Sequence, residues 1–190
     1  MRERMMASQR DVAVIVGSLR KGSFSRLTAK AVAELAPPGL KLEIVEIGDL
    51  PLYDPDLDEQ EPPRAWLTFR ERVRKAQGLL FVTPEYNRSV PGVLKNAIDV
   101  GSRPYGKSVW AEKPGAVISV SPGALAAFGA NHHLRQSMVF LNVWMMQQPE
   151  AYVGGAAKLF DEQGKLINDA TRDFLRNFGV AFERWVEKFG

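Results

Sequence analysis

Cysteine is absent from the 190-residue chain. Without thiols the chain cannot form disulfides, zinc–thiolate sites or iron–sulfur clusters, and it cannot use a thiol nucleophile. Histidine is scarce as well, because the only two are the neighbours His132 and His133. Adjacent residues of a helix point in different directions, so this pair does not favour metal ligation. We therefore predict no metal site.

Long hydrophobic runs are also missing. No apolar stretch approaches the roughly 20 residues that a membrane-spanning helix requires. The opening residues, MRERMMASQR, are polar and lack the apolar core of a secretory signal. We expect residues 1–10 to be a flexible extension and residues 11–190 to form one domain. The expected protein is cytoplasmic and has no membrane partner.

Charge of one sign is not concentrated anywhere along the chain. The 25 Lys and Arg residues are interspersed with 22 Asp and Glu residues, for a net charge of +3. Nucleic-acid binding needs a basic patch and predicts salt-sensitive association. A mixed, solvated surface is the better interpretation of this pattern, so no nucleic-acid partner is expected.

Short apolar runs do recur, and each is followed by a helical pattern. Residues 11–17, 78–83 and 115–121 are typical of strands that are covered on both faces. Residues 40–47 alternate apolar and polar side chains, and residues 142–146 are a candidate fifth strand. Strands that alternate with helices predict a parallel α/β sheet with right-handed crossovers. We predict a doubly wound five-stranded sheet of order 2-1-3-4-5, with its ligand site beyond the carboxyl ends of the strands.

Two further segments have distinct compositions. Residues 51–63 are acidic and rich in proline, which indicates an irregular surface loop. The last helix carries aromatic residues at helical spacing, and we interpret them as core residues and not as a base-stacking surface. These residues are Phe174, Phe178, Phe182, Trp185 and Phe189.

The loop after the first strand, GSLRKGSFS, leads into a helix. The N–H groups and positive dipole of a helix N-terminus attract anions. Ser18, Ser23 and Ser25 add hydroxyl groups, and Arg20 adds a cation suited to phosphate. The loop lacks both the G-x-G-x-x-G and the G-x-x-x-x-G-K-[ST] patterns. On these residues alone, a phosphate site and a simple helix cap both remain open.

The loops after the next two buried strands are also candidates for ligand binding. In TPEYNRSVPG, Pro84 and Asn87 favour a tight turn that presents backbone groups and Tyr86 to a planar ring. In SVSPGALAAFGA, Gly123 permits close approach of a ligand. Each loop is equally compatible with an ordinary strand-to-helix turn.

Together these segments resemble the NADPH-dependent FMN reductase family. GSLRKGSFSRLTAKA resembles the family pattern G-S-x-R-x-x-S-x-N, and TPEYNRSVPGVLKNAIDV resembles P-E-Y-N-x-S-x-P-G-x-L-K-N-A-I-D. The strand and turn at 115–123, the HLRQ run and the MMQQPEAY segment follow in the family's order. The resemblance extends from residue 11 to the C-terminus. It implies a flavodoxin-like fold, FMN as cofactor, and NADPH or NADH as co-substrate.

The resemblance also implies roles for particular residues. One set holds the FMN phosphate, a second lines the isoalloxazine mostly through backbone groups, and a third contacts the opposite edge of the ring. Tyr86 shapes the pocket for nicotinamide and acceptor. The three sets are Ser18, Arg20, Ser23 and Ser25; Pro84, Glu85, Tyr86 and Asn87; and Ser119, Ser121, Pro122 and Gly123.

Two positions depart from the family pattern. Ser25 stands where the family commonly has asparagine, which leaves the affinity for FMN open. Gly129 stands where several relatives carry a charged residue, which leaves assembly open between a homodimer and a homotetramer.

The implied activity is a ping-pong hydride transfer without an obligatory catalytic side chain. The acceptors of such proteins are quinones, free flavins, azo compounds, ferric chelates and chromate. Two alternatives remain: a flavodoxin-like electron carrier without NAD(P)H turnover, and a flavin-free binding protein. Arg88 is equally open between a contact to the dinucleotide phosphate and a solvated surface residue.

Overall fold

The fold is built on a parallel sheet. The computed structural model describes residues 9–190. Its main strands are β1 (Arg10–Val16), β2 (Leu40–Val45), β3 (Gly78–Thr83), β4 (Pro114–Val120) and β5 (Trp144–Met145). They lie in the order β2-β1-β3-β4-β5, and every pairing is parallel. The predicted strand order is thereby confirmed, whereas the predicted extension 1–10 falls almost entirely outside the described residues.

The fifth position of the sheet is shared by two short strands. β5 pairs with the beginning of β4, at Pro114 and Gly115. A sixth strand, β6 (Ala151–Val153), pairs with the end of β4, from Ile118 to Val120. The sequence interpretation missed β6, because three residues are too few for an alternating pattern to be recognised. β6 matters for function because it brings the chain back to the carboxyl ends of the strands.

Helices cover both faces of the sheet. Val12, Val14 and Val16 of β1 belong to the core on one side, whereas Ala13 and Ile15 belong to the core on the other. Both faces of β1 are therefore buried, which explains its nearly continuous apolar sequence. The helices are α1 (Phe24–Glu34), α2 (Pro55–Gln60), α3 (Arg64–Lys75), α4 (Gly92–Gly101), α5 (Phe128–Phe140) and α6 (Asp169–Phe189).

The two faces have different helices. α1 and α6 pack on the side of Val12, and α3, α4 and α5 pack on the opposite side. Phe178 and Phe182 of α6 are fully buried, and Phe174 and Trp185 pack partly buried against the same core. The interpretation of the aromatic stripe as core is thus confirmed for these four residues. No helix within residues 9–190 is both long and apolar enough to cross a membrane.

The prediction of an irregular loop at 51–63 is wrong, because this segment contains α2. Asp54 caps the helix by accepting a hydrogen bond from the N–H of Asp56 at 2.9 Å, and Pro55 occupies the first turn, where proline is tolerated. Asp58 is then buried in a bidentate pair with Arg70 of α3, at 2.6 and 2.8 Å. Both side chains are only 4% exposed. The local composition does not indicate this helix, because the residue that stabilises it lies on another element.

Candidate functional site

A cavity of about 200 Å³ lies where the loops after β1, β3 and β4 meet. Of the residues predicted for the site, three are not among those that line this cavity: Asn87, Ser119 and Gly123. The predicted residues that do line it come from all three loops. They are Ser18, Arg20, Ser23, Ser25, Pro84, Glu85, Tyr86, Ser121 and Pro122.

The first loop forms a cradle of unpaired donors. Ser23 is the N-cap of α1, and its hydroxyl accepts the N–H of Arg26 at 3.3 Å. Ser18 and Ser25 are only 5% and 2% exposed, yet their hydroxyls have no hydrogen-bond partner within residues 9–190. The N–H groups of the first turn add positive potential at the same place. Ser23 therefore caps the helix and keeps its own O–H free to donate. The phosphate contacts of Ser18, Ser23 and Ser25 stay predictions.

Arg20 is the cation of this loop. Its guanidinium lies 5.5 Å from the ring centroid of Phe24, a cation–π distance. Among the described residues it forms no ion pair. Its positive charge is therefore available to an anion bound beside the serines.

The second loop contains a two-residue turn. The N–H of Tyr86 donates to the carbonyl of Ser89 at 2.9 Å, and the N–H of Ser89 donates back at 3.0 Å. Asn87 and Arg88 between them have φ values of 51° and 65°, as a type I′ turn requires. Tyr86 is left exposed at the cavity. The N–H of Tyr86 is thus engaged, whereas those of Glu85, Asn87 and Arg88 have no partner among the described residues.

Helix α5 supports this turn. The carboxylate of Glu85 accepts the N–H of Ala130 at 3.1 Å, and Nδ1 of His133 lies 2.9 Å from the hydroxyl of Ser89. A Cβ at Gly129 would lie 2.9 Å from the carbonyl oxygen of Arg88, so only glycine leaves room for the turn. Sequence reasoning missed these supporting residues. The composition of the HHLRQ run gave no sign that its partners lie in the second loop.

The third loop is also tied to α5, through Ser119. Ser119 is fully buried, and its hydroxyl accepts from Nδ2 of Asn131 at 3.2 Å. Nε of Arg135 in turn donates to Oδ1 of Asn131 at 3.0 Å. The Ser119 side chain thus supports the helix, and its role as a ring contact stays a prediction.

Ser121 lies at the carboxyl end of β4. Its N–H donates to the carbonyl of Val153 in β6 at 3.0 Å, and its hydroxyl donates to the carbonyl of Gly123 at 3.1 Å. Both groups are therefore engaged within the protein. The hydroxyl oxygen of Ser121 can still accept a hydrogen bond, and the predicted ring contacts of Ser121, Pro122 and Gly123 stay predictions.

His132 faces a separate cluster on the outer side of α5. Its Nε2 lies 3.1 Å from the hydroxyl of Tyr152, and its ring centroid lies 4.2 Å from that of Phe128. Burial, together with the nearby carboxylate of Glu150, raises the pKa of Tyr152. The two histidines thus hold different partners, in keeping with their expected divergence on a helix.

We predict that Gly129→Ala destabilises the protein. Displacement of the carbonyl of Arg88 should cost about 1–3 kcal/mol, which exceeds the gain of about 0.5–1 kcal/mol for alanine in a helix. Urea unfolding measures the difference. Gly92→Ala, at the first residue of α4 with no heavy atom within 4 Å of the new Cβ, is the matched control and should cost nothing. Equal stability of the two variants would show that the turn does not need the space that Gly129 leaves by having no side chain.

Comparisons with known proteins agree with this architecture. The sequence model of the NADPH-dependent FMN reductase family matches residues 10–158. A quinone reductase of Pseudomonas putida is 62% identical over 182 residues, covering 96% of this chain and 97% of the relative. A 2-hydroxy-1,4-benzoquinone reductase of a Burkholderia species is 46% identical over 175 residues, covering 92% and 95%.

The same relationship holds for a solved structure. FerB, a flavoenzyme NAD(P)H:(acceptor) oxidoreductase from Paracoccus denitrificans, superposes with a TM-score of 0.89 at 41% identity, covering 95% of this chain and 99% of that one. The family model accounts for most of the chain, and these relatives extend the match over nearly its full length. The chain belongs to the NADPH-dependent FMN reductase family.

Proposed function

We propose that this protein is an FMN-dependent NAD(P)H oxidoreductase that passes electrons to quinones. The observation that carries the proposal is the cradle in the first loop, where Ser18 and Ser25 are mostly buried but their hydroxyls remain accessible and without partners beside the N-terminus of α1. Such a site needs an anion with several acceptor oxygens. A terminal phosphate matches this requirement, and Arg20 supplies its counter-charge.

The remaining residues fit the rest of FMN. Tyr86 and Pro84 offer apolar surface to a flat ring, and Pro122 faces the same cavity from the third loop. The N–H of Glu85, which lines the cavity, is proposed to donate to a polar atom at the ring edge, and the contact of Asn87 with the ring is a proposal from the family resemblance. When bound, FMN supplies the ability to accept a hydride and to pass electrons on. The side chains bind and orient, and none of them is assigned as an obligatory acid or base.

Quinones are the proposed acceptors because two relatives of nearly full length are named as reductases of quinones. The open position of Tyr86 is consistent with an acceptor that enters from solvent. Free flavins, azo compounds, ferric chelates and chromate are further acceptors that the family resemblance suggests. A cytoplasmic location also stays a proposal from the sequence.

The first test is the absorbance spectrum of the purified protein under anaerobic conditions. We expect flavin bands that bleach when NADPH or NADH alone is added, before any acceptor is present, because a ping-pong order requires reduction first. Addition of a benzoquinone should restore the bands. Bands that persist with both nucleotides would identify an electron carrier, and a colourless protein that does not bind added FMN would refute the proposal.

The phosphate cradle has its own test. Arg20→Ala should raise the dissociation constant of FMN by roughly tenfold or more, because it removes a charge-assisted hydrogen bond to the phosphate. Quenching of flavin fluorescence on titration of the apoprotein measures this constant. Lys21→Ala removes the neighbouring exposed cation and should change it little. Equal effects of the two substitutions would show that FMN affinity depends only on the overall positive charge of the loop, and Arg20 would then not be a phosphate ligand.

We also propose that the protein is a homodimer, formed through the face of α4 and α5. The largest cavity described, about 640 Å³, lies between these helices and away from the cradle. Tyr105 and Phe140 line it and are highly exposed, and Val139 is exposed beside them. Exposed apolar side chains around a groove are typical of protein–protein contacts. Residues 138–146, MVFLNVWMM, are an apolar stretch that could serve subunit contacts or the core, and two of its members, Met138 and Val143, belong to the core.

Phe140→Asp should therefore shift the protein towards the monomer, because a carboxylate would be buried in the dimer interface. Sedimentation velocity measures the change in mass. Phe140 is 86% exposed and Leu52 is 80% exposed, so Leu52→Asp is a matched control on a different surface. A wild-type protein that sediments as a monomer, or a dimer that survives Phe140→Asp, would contradict this assignment of the interface.

A further inference from the structure

We propose that Arg88 binds a phosphate group of the pyridine dinucleotide. This inference rests on the proposed function, since it concerns the co-substrate of the same site. It assigns a recognition contact to a residue that neither the cradle nor the ring contacts require.

Arg88 does not itself line the cavity, but it approaches a residue that does. Its Nη1 lies 3.8 Å from Oε1 of Glu85, and Glu85 lines the cavity. The Arg88 side chain is 77% exposed, and within residues 9–190 it makes no hydrogen bond. The guanidinium is thus next to the site and has all its donors free.

Glu85 forms only a loose ion pair with this cation. A separation of 3.8 Å exceeds hydrogen-bond length, and an ion pair with such an exposed partner is weak. The other carboxylate oxygen of Glu85 accepts the N–H of Ala130 at the N-terminus of α5, where the helix dipole already stabilises negative charge. An incoming anion therefore meets the charge of Arg88 with little competition.

The backbone at Arg88 gives no reason for an arginine. Its φ of 65° costs roughly 1–2 kcal/mol for a residue with a Cβ, a cost that glycine avoids and that asparagine tolerates better. The turn is held against α5 by Glu85, by the gap at Gly129 and by His133. A strained turn held in this way presents its side chain from a fixed place.

The chemistry of the guanidinium matches a phosphate. Its planar fork donates two parallel hydrogen bonds to phosphate oxygens. The phosphate of FMN is assigned to Arg20 and the serines of the first loop, whereas Arg88 belongs to the second loop. With a quinone as acceptor, the remaining phosphates of the reaction are those of the dinucleotide: the pyrophosphate of NADH and NADPH, and the 2′-phosphate of NADPH alone.

The test uses the FMN-loaded protein and measures binding of NADP⁺ and NAD⁺ by isothermal titration calorimetry, alongside KM for NADPH and NADH. Arg88→Asn removes the charge and suits the left-handed backbone. Arg88→Lys keeps the charge. Arg184→Asn removes the same charge from an exposed position in α6. This helix ends next to Gly190, which approaches Gln77 at the end of the sheet opposite the cavity.

We expect Arg88→Asn to weaken NADP⁺ binding roughly tenfold, the ratio that one charge-assisted contact supplies, and to raise KM for NADPH similarly. The loss should shrink at high salt, and Arg88→Lys, which keeps the charge but not the planar fork, should lose less affinity than Arg88→Asn. An equal loss for NAD⁺ identifies the pyrophosphate as the ligand, whereas a loss confined to NADP⁺ identifies the 2′-phosphate.

Two results would overturn the inference. One is unchanged binding of both nucleotides to Arg88→Asn, and the other is an equal loss in Arg184→Asn, which would reflect only the net charge. If the wild-type protein binds neither nucleotide and its flavin does not bleach, the proposed function fails as well. If the wild type binds both and Arg88→Asn does so equally, the inference alone fails.

Discussion

The hydrogen bond between the N–H of Ala130 and the carboxylate of Glu85 joins the second loop to α5, and the arrangement of the site depends on it. Gly129 makes the contact possible by leaving space for the carbonyl of Arg88. The next residues of the same helix turn hold further parts of the site, Asn131 through Ser119 and His133 through Ser89. Two walls of the cavity are thus fixed by the first two turns of one helix.

Backbone strain accompanies this arrangement. Ala126 and Ala127, just before α5, have φ values of 50° and 59°, and each costs roughly 1–2 kcal/mol relative to ordinary helical geometry. Both are buried, so the surrounding core holds the chain in this conformation. The strained segment starts α5 at the place where its N-terminal N–H groups meet Glu85. Strain at a binding site is tolerated where packing over-determines the backbone, as it does here.

The sequence predicts the sheet well because β1, β3 and β4 are covered by the core on both faces. Each of these strands therefore has a nearly continuous apolar sequence. It also predicts the three loops, because parallel strands bring their carboxyl ends to one edge. It fails for α2 and β6, whose stability comes from Arg70 and from β4, partners distant in the chain. It fails for the contacts of α5 for the same reason. A sequence pattern indicates which residues are buried within one segment. The contacts that hold the site together join segments that are distant in the chain, so such a pattern does not reveal them.

The two arginines of the site are both exposed, and they differ in the groups that surround them. Ser18 and Ser25 place their donors beside Arg20 at nearly buried positions, where water and salt weaken electrostatic attraction least. Arg88 is surrounded by solvent, where the same attraction is weaker and screened. If both proposals hold, we expect a phosphate that is bound by the nearly buried serines to dissociate slowly, and a phosphate that is bound by Arg88 alone to dissociate readily. The burial of Ser18 and Ser25, and not that of the arginines, would then distinguish the phosphate that stays from the phosphate that must leave.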